Sequence, residues 1–536
     1  MAAGMGVVLA VVVAAPVVAA AAGWVMRIPA RVWGPSAAAL SCLLAVVVCA
    51  VVVARGPVGW VVVNEQGRAV LGLQADQVAA VLLTLVCGIA LVVAVFARRY
   101  LYGDAAVDRF YTGTALLATA TTAMVCAVTL LGLAVAWTVA GIALCVLLGM
   151  YGQLPAARDG VRRTAAAFLI GDLALWAAVA VIVIRSGDLD LRPGQAAAWS
   201  AAAPAEVAML GVLLVVAAAS RSAQLPFHRW LPATLAAPTP VSALLHAGVV
   251  NAGAILLLRS GTVFGSSSVA MLAAFTVGAS TVVYATMAML TKPDVKGALA
   301  HSTMAQMGFM IMTCGLGLYA AAVFHLTAHA MYKATLFLGS GSAVHRHLRH
   351  RRAPAPAALT RPQRAAVGVF AVAVPAAVLA VAATLLPAVL PVTHDGDALL
   401  LFAWAVGAWA SWGWLRRAPR LGRAAAAAAA LLVALPAYLG ALAWFTRFLT
   451  PALPPLGAAP AAAWLVLIAA AVLALVSVLR RRPPWPPGIA GVHDTLYVWA
   501  LTHAHPAPGR RGRTGHAAGR RSPVTAAQPA TIGAPA

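Results

Sequence analysis

Apolar runs of roughly 18–25 residues recur along the chain from Met5 to Leu479, separated by short segments that collect arginine, proline and glycine. Each run is about long enough for a helix to cross a hydrocarbon core of ~30 Å. The pattern predicts membrane helices at about 4–25, 37–54, 77–98, 112–131, 132–151, 164–185, 205–221, 240–259, 268–290, 297–315, 319–341, 364–390, 398–416, 423–447 and 461–479, fifteen in all. No charge divides residues 112–151, so the boundary inside that stretch is set by length alone. The first run has no basic segment before it and exceeds a typical signal-peptide core, so it reads as the first membrane helix. The expected fold is an all-α polytopic membrane protein with about 14–15 transmembrane helices, one membrane domain rather than several soluble ones.

Composition agrees. Of 536 residues, 63% are hydrophobic and 9% charged, against ~45–50% and ~25% in an ordinary soluble domain. A soluble globular protein is excluded. The formal charge of +24 must sit in loops and tail, where the chain meets water, so no nucleic-acid partner is expected. Loops after odd-numbered helices hold 30 of the 37 Lys and Arg. Loops after even-numbered helices hold six, namely Arg55, Arg68, Arg185, Arg192, Arg259 and Arg447, and Lys333 lies inside a helix. One missed or invented helix would scramble this asymmetry beyond it; the positive-inside rule then predicts an outside N-terminus and a cytoplasmic C-terminus. The Ala- and Arg-rich, Lys-poor composition points to a bacterial source, hence a bacterial cell membrane. Cys42, Cys49, Cys87, Cys126, Cys145 and Cys314 all fall in apolar runs without metal-ligand spacing and read as small buried hydrophobes. No metal site, cofactor motif or nucleotide loop is evident. The tail from about 483 is rich in Pro, Ala, Gly and Arg and is expected to be disordered.

Candidate chemistry lies where polar groups interrupt apolar helices, because an ionisable group in a bilayer costs about 2.5–3.5 kcal/mol on insertion scales. The sharpest place is Ala322–Phe337, AVFHLTAHAMYKATLF, in which His325, His329 and Lys333 recur every four residues. Their side chains form one slowly winding stripe with a spacing of about 6 Å, a geometry that can pass protons. The competing reading is two neutral packing histidines and a lysine that snorkels to an interface. Lysine identity weighs against it: the chain has only Lys292, Lys296 and Lys333 beside 34 arginines. A buried lysine can release its proton, whereas arginine effectively never does.

A second place is Ser220–Gly253, where Pro226, Pro232, Pro238 and Pro240 break a membrane-embedded stretch carrying Arg221, Gln224, His228 and His246. Irregular backbone at membrane depth survives only where protein or a wet cavity surrounds it, and broken helices mark ion sites in many transporters. An ordinary cytoplasmic loop is the competing reading. A third is Lys292–Met310, with Lys296, His301, Ser302, Thr303 and Gln306; Lys296 and His301 could extend the polar path, or belong to a loop. Two isolated acids remain. Asp172, eight residues into its helix, is expected to pair with a buried cation, and Glu206 lies near an interface.

The segments SAQLPFHRWLPATLAAPTPVSALLHAG, DVKGALAHSTMAQMGFM and FHLTAHAMYKATLFLGSGS closely resemble the antiporter-like proton-conducting subunits of respiratory complex I (its subunit 5), Mrp-type cation/proton antiporters and related pumps. The resemblance spans roughly residues 77–345. It implies two inverted five-helix repeats, each with a broken helix, around a central polar axis. On that pattern Arg221 takes the broken-helix position where relatives usually carry Lys, Pro226, Pro238 and Pro240 mark the break, His246 is the helix 8 histidine, and His325, His329 and Lys333 form the central relay. The resulting division is N-terminal helices at 1–76, a proton-conducting core at 77–390, C-terminal helices at 391–482 and a basic cytoplasmic tail at 483–536.

Departures sort the family members. Complex I and Mrp relatives carry a Glu after a Trp in the fifth helix, whereas Trp137 is followed here by Thr138, and no lysine occurs beyond Lys333. The long lateral helix of the complex I subunit is not expected after the fifteenth helix. RRYLYGDAAVDRF, LLGMYGQLPAARDGVRR and HAGVVNAG resemble instead the membrane subunit of the two-component DAB inorganic carbon system. That resemblance implies a large peripheral zinc-dependent, carbonic-anhydrase-like partner and a pathway for protons or sodium through Lys333, His329, His325, His246, Arg221, Lys296, His301 and Asp172. The Arg221 substitution would make that position a fixed charge rather than a carrier. The expectation is a transporter subunit in the lipid bilayer, not an enzyme by itself; a complex I subunit 5-like pump and an Mrp-type antiporter are the alternatives.

Overall fold

Helix follows apolar run along almost the whole described chain. The computed structural model describes residues 2–185, 187–192, 203–342, 359–385, 394–416 and 421–454. Its helices are α1 (Ala2–Val25), α2 (Ala30–Arg55), α3 (Gln77–Tyr100), α4 (Val107–Cys126), α5 (Leu130–Leu148), α6 (Pro155–Arg185), α7 (Pro204–Arg221), α8 (Thr239–Ala247), α9 (Ala252–Arg259), α10 (Gly261–Phe264), α11 (Ser268–Leu290), α12 (Val295–Gly315), α13 (Tyr319–Leu338), α14 (Arg361–Leu385), α15 (His394–Leu415) and α16 (Leu421–Leu449). Fourteen of the fifteen predicted spans have a helix in their place, with α8 and α9 together forming the eighth. The predicted helix at 461–479 and the tail from 483 lie outside the described residues. Among the described residues, ten spans are long and apolar enough to cross a membrane. The protein is a polytopic helical membrane protein. Neither α12 nor α13 is among those ten, because they carry His301, Ser302, Gln306, His325, His329 and Lys333.

One element was not anticipated. Residues between α2 and α3 fold into an antiparallel hairpin, β1 (Val58–Val63) with β2 (Ala69–Ala75). The β-branched run VGWVVV and the turn around Gly67, whose φ is +74°, supply the strand and turn chemistry. The hairpin also explains where the uncharged stretch 112–151 divides. Val128 N–H donates to the Gly72 carbonyl at 3.2 Å and Thr129 Oγ1 donates to the Val70 carbonyl at 3.3 Å. The chain is therefore extended at 127–129, a few residues before the boundary that length alone set, and Thr129 then caps α5 by accepting from Gly132 N–H at 3.2 Å.

Contacts between connecting segments test the alternation of the spans. Segment 127–129 meets both β2 and the segment after α6, where Leu130 N–H donates to the Leu189 carbonyl at 2.8 Å. Arg259, at the end of α9, pairs with Asp76 at the start of α3. The connections after the second, fourth, sixth and eighth spans thus share one end. At the other end Tyr151 donates to Asp104, joining the connections after the third and fifth spans, and Lys296 donates to the Ala237 carbonyl at 3.1 Å, joining those after the seventh and ninth. An inserted or omitted span would have placed these partners at opposite ends.

The outer helices face lipid and the broken one does not. Only 28% of the most apolar window of α2 is buried, against 94% for Thr239–Arg259. Glycines bring backbones together around that centre. A Cβ on Gly253 of α9 would stand 2.4 Å from the Ala218 carbonyl of α7, and one on Gly278 of α11 2.5 Å from the Gly308 carbonyl of α12. Small residues drive such close helix contact in lipid, where apolar burial supplies no gain between helices.

Candidate functional site

Two clusters of buried polar residues stand out among the described residues. In the first, α5, α6 and α7 converge on Arg221, which is 1% exposed. Arg221 Nη2 donates to Asp172 Oδ1 at 2.8 Å and Nη1 to the Trp137 carbonyl at 3.2 Å, while Trp137 Nε1 donates to the same Asp172 oxygen at 2.8 Å. The guanidinium carbon lies 4.5 Å from the Trp137 ring centre and 4.0 Å from that of Phe168. Gly141 makes the room: a Cβ there would sit 2.9 Å from Arg221 Nη1. Asp172 thus meets the buried cation expected for it. The carboxylate beside this cation comes from the helix after the one that carries Trp137, whose neighbour Thr138 accepts instead from Trp176 Nε1 at 3.1 Å. Paired, stacked and hydrogen-bonded, with a side chain that does not deprotonate in proteins, Arg221 is built to stay charged.

Between the clusters the chain is irregular. After α7, Ser222–Leu225 leave helical geometry, with Ala223 at φ +52°, and Phe227–Thr234 form a 3-10 segment. The freed groups are satisfied internally, as membrane depth requires. Leu225 N–H donates to Thr281 Oγ1 at 3.1 Å, Gln224 Nε2 to the Ser222 carbonyl at 2.6 Å, and Trp230 Nε1 to the Ser220 carbonyl at 3.0 Å. Pro226 lies in this break, whereas Pro238 and Pro240 open α8 at its first turn, where proline fits. A second discontinuity, at Gly248–Asn251, contains no proline and was not legible as a break. It is held by Ser222 Oγ donating to the Val250 carbonyl at 2.7 Å and Asn251 Nδ2 to the Ala247 carbonyl at 2.7 Å.

The second cluster lies where α8, α12 and α13 meet. Lys333, 1% exposed, donates to Ser302 Oγ at 2.5 Å and towards the Leu299 carbonyl at 3.5 Å. One turn earlier on α13, His329 places Nδ1 2.6 Å from Gln306 Oε1 and Nε2 3.2 Å from the His246 carbonyl. His246 is buried, its ring stacked on Phe337 at 4.2 Å between centres. His325 continues the stripe, 6.1 Å from His329 between ring centres, the spacing expected for helical neighbours four residues apart. Nδ1 of His246 and Nε2 of His325 are buried without a protein partner. Among the described residues no carboxylate pairs with Lys333, in contrast to Arg221.

The remaining candidates lie at the margin. His301 is buried on α12, its Nδ1 2.9 Å from the Gly297 carbonyl, and Lys296 reaches the Ala237 carbonyl just before α8. Asp294 caps this helix by accepting from Gly297 N–H. Lys292, in the turn before α12, has its pKa lowered by burial. Arg221 and Asp172 bond to each other and to Trp137 within the first cluster. Ser302 and Gln306 gain weight: their four-residue spacing on α12 matches that of His329 and Lys333 on α13, a signal already present in the sequence. Arg259 was counted as a loop charge but is a buried ion-pair partner of Asp76 that also donates to the Val125 carbonyl at 2.6 Å. Glu206 pairs with Arg185 through two bonds of 2.8 and 2.9 Å. The six cysteines are free thiols, and the described residues hold no cluster of His, Cys, Asp and Glu that could bind a metal.

The sequence profile described as NADH:quinone oxidoreductase/Mrp antiporter, TM, matches residues 127–410, which contain both clusters. The chain belongs to this family. A second profile, the N-terminus of complex I chain 5, matches residues 60–111. Among family relatives, the chain is 37% identical over 290 residues to a probable inorganic carbon transporter subunit, DabB1, of Halothiobacillus neapolitanus, covering 53% of this chain and 51% of that one. It is 34% identical over 277 residues to NADH-quinone oxidoreductase subunit L of Mycobacterium tuberculosis, covering 51% and 44%. The chain spans about half the length of these curated relatives. Its fold is similar to a chain of the Mrp complex from Dietzia sp. DQ12-45-1b, with a TM-score of 0.58, 27% identity and coverage of 94% of this chain and 56% of that one. The fold also matches a chain of the archaeal membrane-bound sulfane sulfur reductase, with a TM-score of 0.58 at 18% identity, covering 93% of this chain and 97% of that one. It is an antiporter-like membrane subunit.

Proposed function

We propose that this subunit conducts protons or sodium through the cluster of α8, α12 and α13, and that the movement drives a large peripheral zinc-dependent, carbonic-anhydrase-like subunit in an inorganic carbon pump. The observation that carries the conduction reading is the buried polar line from Lys333 with Ser302, through His329 with Gln306, to the main-chain carbonyl of His246, extended by His325 on the same helix face. A lysine buried without a counter-ion can change its charge at modest cost, which a paired arginine cannot. His301 and Lys296 extend the line towards the end where Lys296 meets Ala237, and Arg221 with Asp172 supplies a fixed field beside it. The core of the conduit occupies residues 77–390. The similarity to the inorganic carbon transporter subunit supports the coupled process, and the chain itself performs no covalent chemistry.

A second reading, a subunit 5-like proton pump of an NADH-quinone oxidoreductase, draws on the 34% identity to subunit L; an Mrp-type antiporter draws on the fold similarity to the Mrp complex. One experiment separates them. The tagged protein is purified in mild detergent, its partners are identified by mass spectrometry, and the complex is assayed for zinc. A single large zinc-containing partner is expected. A set of redox subunits would move the protein to the oxidoreductase branch, and cation-dependent pH dissipation in vesicles without any partner would favour the antiporter.

A further inference from the structure

The surroundings of His329 pose a proton-counting problem. Its two ring nitrogens face Gln306 Oε1 at 2.6 Å and the His246 carbonyl at 3.2 Å, and both partners are acceptors. A neutral imidazole has one N–H and can donate to only one of them. An imidazolium donates to both. The neutral ring fits the same site if the Gln306 amide turns over, so that its NH2 donates to Nδ1 while Nε2–H donates to the His246 carbonyl; the two amide orientations occupy nearly the same volume. No other partner of His329 has this freedom, because the His246 carbonyl belongs to the main chain of α8 and only accepts.

We propose that Gln306 is the positioning residue of His329, an amide that turns through half a rotation as the histidine gains or loses its second ring proton and keeps it hydrogen-bonded in both states. A buried donor or acceptor left without its partner costs about 1–3 kcal/mol, so an amide that serves both states removes that barrier from each transfer. Ser302, one turn earlier on α12, fits Lys333 in the same way, since a hydroxyl accepts from an ammonium and donates to an amine. α12 thus presents two adaptable partners, four residues apart, to the two titratable groups spaced likewise on α13. The titratable groups around His329 are His325 and Lys333 on its own helix and His246 on α8; on α12, His301 Nδ1 lies at the Gly297 carbonyl and Lys296 donates to the Ala237 carbonyl. Of the other helices packed on α13, α3 directs Cys87 into the packing with α1, α2 and α4, and Tyr438 of α16 meets Phe324. No carboxylate faces His329 among the described residues.

The assignment deepens the relay reading, and its test is independent of transport. The full chain, labelled with 15N-histidine, is reconstituted in liposomes and followed by solid-state NMR across pH, with the His329 signal identified by its loss in His329→Asn. Gln306→Glu offers an acceptor only, so the imidazolium signal should persist at least about one pH unit further into the alkaline range. Gln306→Leu removes the adaptable partner and should move the transition to lower pH. Equal midpoints in wild type and both variants, or shifts in one common direction, would overturn the proposal. If Gln306→Glu does not fold, Gln306→Leu decides alone: an unmoved transition overturns it. Failure of the relay reading is seen separately, as full transport by a Lys333→Ala complex.

Discussion

Arg221 and Lys333 are equally buried cations in one protein, and their surroundings differ in every respect that governs charge. Arg221 has a carboxylate at 2.8 Å, two aromatic faces and a main-chain carbonyl, and its guanidinium fills space that Gly141 leaves open. Lys333 has a hydroxyl and a distant carbonyl. The first arrangement holds the charged state by an ion pair; the second supplies no such pair. On the proposed reading, burying a charge in a membrane protein serves opposite ends depending on the partner supplied: arginine where the charge is to be permanent, lysine where it is to change.

The largest expected effect tests that contrast directly. Lys333→Ala should reduce coupled uptake by the assembled complex to background at unchanged expression, and Lys333→Arg should do the same because arginine does not titrate. Arg221→Lys, by contrast, should remain active. Normal uptake by Lys333→Arg would mean that only a fixed charge is needed, and the contrast between the two sites would collapse.

Stability should divide the other way. Asp172→Ala leaves Arg221 buried and unpaired, which costs about 3–5 kcal/mol, whereas removing both charges in Asp172→Leu with Arg221→Met should recover most of that loss. Thermal unfolding in detergent reads both. A double variant no more stable than Asp172→Ala would show that the aromatic and carbonyl contacts, not the ion pair, hold the cluster.

A smaller effect is expected where the two regions are joined. Gly253→Ala places a methyl group 2.4 Å from the Ala218 carbonyl at the end of α7 and should cost about 1–3 kcal/mol by overpacking. Unchanged thermal stability would mean that α7 and α9 can separate freely.

The smallest concerns Tyr151 and Asp104, in the connections after α5 and α3. Burial, then the bond to Asp104, pushes the Tyr151 hydroxyl up to about 12. A raised folded-state value means that this contribution is complete below the ordinary tyrosine value of ~10 and is lost as pH rises through about 12. Tyr151→Phe should therefore flatten the alkaline limb of a stability-pH curve without changing uptake; an unchanged limb would assign it to other groups.

Length of apolar run and placement of arginine determined, without any structure, that the chain is a polytopic helical membrane protein, where fourteen helices lie, and that His325, His329 and Lys333 share a face. These properties are local or one-dimensional: span length follows from bilayer thickness, and a helical stripe from the repeat of the helix. The division at 127–129 depended on pairing with β2, residues some fifty positions earlier, which no local signal encodes. The break at Gly248 has no proline and is held by Ser222, from the end of α7, and by the side chain of Asn251 within the break itself. Charge pairing was likewise beyond one dimension. That Asp172 belongs to Arg221, that Arg259 belongs to Asp76 across the fold rather than to a loop, and that Lys333 has a hydroxyl instead of a carboxylate were decided only when helices distant in sequence met. A side chain's type says what it can do with a proton; its partners, which tertiary packing alone chooses, say whether it will.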